Sequence, residues 1–72
     1  MTQYSLADLH ESDRHIAGVK RRISKQKALI IRLQLIGIST KDAEDLLRLL
    51  EELLVILHQH RASIVTAISE AK

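Results

Sequence analysis

Between Ala43 and Ile68 the apolar residues occupy four of the seven columns of a heptad. The a column is Ala43, Leu50, Leu57 and Ile64; the d column is Leu46, Leu53, His60 and Ala67. The e column holds Leu47, Leu54, Arg61 and Ile68, and the g column Leu49, Ile56 and Ser63. The other columns carry Glu44, Asp45, Arg48, Glu51, Glu52, His58, Gln59 and Thr66, with Val55, Ala62 and Val65 as apolar exceptions. Upstream, Leu9, Ile16, Ile23 and Ile30 recur every seven residues, followed three later by Ser12, Val19, Gln26 and Leu33. This period predicts two coiled-coil-like helices. Toward its end the first stripe widens to Leu29, Ile31, Leu35 and Ile36.

Local signals place the ends. Ser5 is a candidate N-cap with Asp8 in the position of a capping-box acid, and Tyr4 and Leu9 could staple across it. Gly37 can take the left-handed conformation that closes a helix, with Ile38 at the accompanying apolar position. Ser39 or Thr40 caps the second helix, where Asp42, Glu44 and Asp45 complement the helix dipole. The prediction is a single domain over residues 1–72: helix 1 over about 5–36, a loop at 37–39, and helix 2 over about 40–69. So short a connection forces antiparallel neighbours, each about 45 Å long at 1.5 Å per residue.

One antiparallel partner is expected to cover mainly a and d. Leu47, Leu49, Leu54, Ile56 and Ile68 are then left partly in water and form the expected oligomer interface. Burying each is worth roughly 1.5–3 kcal/mol, so the five amount to about 8–15 kcal/mol as an upper bound. That rivals the whole stability of a small domain. The expected architecture is therefore all-α: an antiparallel two-helix hairpin that dimerises into a four-helix bundle.

Composition sharpens this picture. There is no Cys, so disulfides and thiolate metal sites are excluded, and no Pro interrupts either helix. A chain of 72 residues without such staples relies on idealised packing or oligomerisation. No run of about 18 uncharged apolar residues exists, so no membrane insertion is expected. The opening Met-Thr-Gln-Tyr-Ser lacks the basic start and apolar stretch of a secretory signal, and the absence of Cys fits the expected cytoplasmic location. Net charge is +2, unevenly spread: residues 5–36 carry seven Lys/Arg and three Asp/Glu (+4), and residues 40–70 carry three and six (−3).

Candidate chemistry is sparse. Lys20, Arg21, Arg22, Lys25, Lys27 and Arg32 form a basic run. Read structurally, it is a solvated face salt-bridged to helix 2. In a hairpin closing near residue 38, positions summing to about 77 stand level. Lys25 and Lys27 then approach Glu51 and Glu52, and Arg32 approaches Asp45. Read functionally, Arg21, Arg22, Lys25 and Arg32 would contact nucleic-acid phosphates, although no aromatic residue is interleaved for base stacking. His58 and His60 point to opposite sides of a helix, as do His10 and His15, so neither pair has chelating spacing. Levelling instead brings His15 near His60, with Asp13 and Arg61 in the same candidate polar cluster. Hydrogen bonding satisfies such a layer; zinc binding and a pH-sensitive contact are the sharper alternatives. Gln26, an amide in the seam, reads as a device fixing register or oligomer state. No nucleophile elbow, phosphate loop or His-Glu-x-x-His occurs, so neither catalysis nor a cofactor is expected.

Asp13-Arg14-His15-Ile16, Arg22-Ile23 with Gln26, the loop Gly37, Ala43-Glu44 with Leu46-Leu47, and His60-Arg61 together resemble a group of short, uncharacterised bacterial helical-hairpin proteins. The resemblance covers most of the chain. It implies a small cytoplasmic bacterial protein and carries no catalytic residue across. The resulting expectation is a non-enzymatic adaptor, scaffold or regulatory subunit whose partners are itself and another protein. A nucleic-acid-associated protein is the alternative.

Overall fold

The computed structural model describes residues 3–70; the expectations that rest on Met1, Thr2 and Lys72 lie outside them. Two helices, α1 (Leu6–Leu35) and α2 (Lys41–Glu70), pack along their length into a rod of 57 × 15 × 14 Å. Each is 30 residues long. No strand occurs among the described residues.

The ends form as the local signals dictate. Asp8 N–H donates to Ser5 Oγ at 3.4 Å, while Ser5 N–H donates to the Asp8 carboxylate at 2.8 Å, completing the capping box. The Tyr4 ring, expected against Leu9, stands edge-to-face with His60 at 5.8 Å. At the other end of α1, Ile38 N–H donates to Leu33 C=O at 3.0 Å and Gly37 N–H to Gln34 C=O at 3.2 Å. These are the two bonds of a Schellman closure, and Gly37 supplies the positive φ of 76° that it needs. Thr40 rather than Ser39 is the N-cap of α2: its carbonyl accepts the first helical bond, from Glu44 N–H at 2.8 Å. Ser39 Oγ accepts from Lys41 N–H one step further out.

In α1 the buried residues are Ser12, Ile16, Val19, Ile23 and Ile30, the a and d columns as expected. In α2 the seam differs. It is built mainly from a and e: Ala43, Leu47, Leu50, Leu54, Leu57, Arg61 and Ile68 are half-buried and Ile64 is buried, and of the d column only Ala67 is also half-buried. Leu46 and Leu53, expected inside, are 47% and 39% exposed. Leu47, Leu54 and Ile68, expected on the assembly face, are already half-buried within the single hairpin. Near the loop d and e are equivalent, both Leu, and either could pack inward. The far end breaks the tie. Turning e inward seats Ile68 and lets Arg61 reach α1, whereas d would bury His60 without an ion-pair partner.

Candidate functional site

With a and e against α1, the d and g columns of α2 lie together on one broad face of the rod. Leu46 (47% exposed), Leu49 (56%), Leu53 (39%) and Ile56 (58%) form a continuous stripe there. On the same side, the α1 edge repeats His15, Arg22, Leu29 and Ile36 every seven residues. Arg14, His15, Gly18 and Arg22 share a shallow groove with Leu53 and Leu57. Leu29 and Ile36 are exposed, at the loop end of that edge. The broad face is thus apolar from the loop to mid-rod. Single exposed apolar residues are ordinary, but a contiguous stripe of this kind marks a contact surface. Leu49 and Ile56 are where the sequence places the interface. Leu46 and Leu53 join it only because the seam of α2 turned by one column, and Leu29 and Ile36 flank it from α1.

Beyond mid-rod the same face becomes polar. A groove of about 190 Å³ is lined by Tyr4, Asp8, Glu11, Ser12, His15 and His60 over the apolar floor of Leu57 and Ile64. His15 Nε2 lies 3.8 Å from Glu11 on its own helix. Ser12 is buried and its hydroxyl has no partner. The expected four-residue cluster divides. His15 and His60 do line one groove, but Asp13 and Arg61 lie across the rod, with Lys20 and His58. There Arg61 Nε donates to Asp13 Oδ1 at 2.6 Å, an ion pair bridging the two helices at the surface. The division follows from the a/e seam, which sends position 61 to one flank and position 60 to the other. Among the described residues, no group of three or more His, Asp or Glu is placed to hold a metal ion.

Gln26 Nε2 donates to the Ala43 carbonyl at 2.8 Å. The amide expected to set register is satisfied inside the hairpin. It ties the middle of α1 to the first turn of α2.

The basic run meets no acid of helix 2. Among the described residues the Lys/Arg–carboxylate ion pairs are Asp45–Arg48 and Asp13–Arg61. The expected pairings of Lys25 and Lys27 with Glu51 and Glu52, and of Arg32 with Asp45, do not form; Asp45 turns to Arg48 on its own helix. Loop length sets these residues near one level, but their columns point away from the seam. At 100° per residue, Arg14, Arg21, Arg22, Lys25 and Arg32 fall within about 100° of one another on the outer side of α1.

No helix among the described residues is long and apolar enough to cross a membrane. No protein-family model matches this chain, and no curated protein or solved structure matches it either.

Proposed function

We propose that this chain is a non-enzymatic protein–protein interaction module: a small adaptor, scaffold or regulatory subunit acting as a homodimer in a four-helix bundle. One observation carries the reading, the apolar stripe of Leu46, Leu49, Leu53 and Ile56 flanked by Leu29 and Ile36 on one face. A water-exposed stripe of this length is stabilised by a matching apolar surface, and a second copy supplies one with two-fold symmetry. The resemblance to short bacterial hairpin proteins supports placing that dimer in a bacterial cytoplasm, and a further protein could dock on the assembled bundle. Sedimentation equilibrium tests the premise. The expected mass is twice 8.2 kDa at micromolar concentration. A folded species that stays at the single-chain mass overturns it.

A second reading rests on the ion pairs that the basic residues do not make. Arg21, Arg22, Lys25 and Arg32 form no salt bridge among the described residues and stand on one exposed side of α1. That arrangement suits a phosphate backbone. Binding to duplex DNA or RNA that collapses between about 50 and 200 mM salt supports this alternative. Absence of retention on a nucleic-acid column at low salt ends it.

A further inference from the structure

We infer, building on the homodimer reading, that the second copy packs on the broad face with its loop at the same end, so that α1 of each copy lies over α2 of the other. The alternative is a dimer with loops at opposite ends, which stacks α1 on α1 and α2 on α2. Three observations separate the two.

The first is charge. Stacking like helices sets a segment of +4 against another of +4, and −3 against −3; the same-end arrangement sets +4 against −3 twice. The second is the distribution of apolar surface. The stripe runs from the loop to mid-rod, while the His15 and His60 groove occupies the other end of the same face. Full overlap with loops opposed would press each apolar half onto the partner's polar half; with loops together, apolar meets apolar. The third is the set of level ions that make no bridge between the two helices, Asp45 pairing only with Arg48 on its own helix. Lys25 and Arg32 lie at the outer rim of the broad face on α1, and Glu52 and Asp45 at the corresponding rim on α2. None of these makes an ion pair between the helices of one hairpin. In the same-end dimer the two rims abut. Lys25 then reaches Glu52 of the second copy, and Arg32 reaches its Asp45, their aliphatic stems covering Leu49 and Ile56. Gly18 fits the arrangement: an added Cβ would meet nothing closer than Arg21 at 3.8 Å, so the hairpin alone leaves room for a side chain there. On the broad face, the bare backbone permits close approach by the second copy.

Double electron–electron resonance tests the orientation with Gln34→Cys spin-labelled in both copies. Gln34 is exposed, and the chain has no other Cys. The same-end dimer puts the two labels about 25 Å apart, whereas opposed loops in full overlap put them more than about 40 Å apart. The short distance upholds the inference. The long one overturns the orientation and leaves the dimer intact, while a single-chain mass for the labelled protein overturns the dimer itself. A charge swap gives an independent measurement. Glu52→Lys should raise the dimer Kd roughly tenfold, since each surface pair is individually weak and two are lost per dimer. Adding Lys25→Glu should restore it. A double variant that dimerises no better than Glu52→Lys overturns the assigned pairs.

Discussion

The two ends of this rod are finished to different degrees. At the open end the hairpin closes on itself: Ile64 is 1% exposed, Ser12 and Ile16 are buried, and Arg61 bridges to Asp13. At the loop end the backbone is tightly specified by the Schellman closure and by the Gln26–Ala43 bond, yet the side chains are left uncovered. Among the described residues, ten of the twelve large exposed apolar side chains lie between Leu29 and Ile56. Conformational definition and apolar burial are therefore separate quantities. Two helices can be locked in register where they cannot shelter all that they carry.

The largest effect expected from breaking this contrast is at Ile64. Ile64→Ala should cost about 2–5 kcal/mol of stability, because the most enclosed side chain leaves a cavity. Urea denaturation at fixed protein concentration measures it, and a loss under about 1 kcal/mol would mean that the open end is not the core. Next comes a pair of neighbours that face different ways. Leu53→Asp should weaken self-association by about 3 kcal/mol over two copies while the chain remains helical. Leu54→Ala should instead destabilise the hairpin. Circular dichroism combined with sedimentation separates these outcomes, and the reverse pattern would restore d to the seam. At the loop, Gly37→Ala should cost about 1–2 kcal/mol from backbone conformation alone. Nothing lies within 4 Å of the added methyl, so an unchanged melting temperature would contradict the φ of 76°. The smallest expected change has the opposite sign. Ser12→Ala removes a buried hydroxyl that has no partner, and should stabilise the open end by about 1 kcal/mol. A loss of stability would reveal a hydrogen bond or bound group at that hydroxyl.

Much of the fold was legible because it is written in local chemistry. Ser5 with Asp8 and Gly37 with Ile38 state their helix ends within a few residues, and the heptad of Leu9, Ile16, Ile23 and Ile30 names one buried face. Leu49 and Ile56 could be placed on the outer face for the same reason. The candidate cluster was only half legible. His15 and His60 share a groove, but whether Asp13 and Arg61 join them depends on how far α2 turns about its axis. Adjacent leucines at 46 and 47, and again at 53 and 54, make that turn nearly free in the sequence.

The chain alone thus determined two helices, their caps, their antiparallel pairing and an excess of apolar surface. Each follows from short-range rules of backbone, period and loop length. Only the packed structure decided which column of α2 meets α1. That choice compares the burial of whole columns, and far from the loop Arg61 reaching Asp13, against an inward His60, tips it. The ion pairs were decided in the same way, because level positions meet only when their columns face each other.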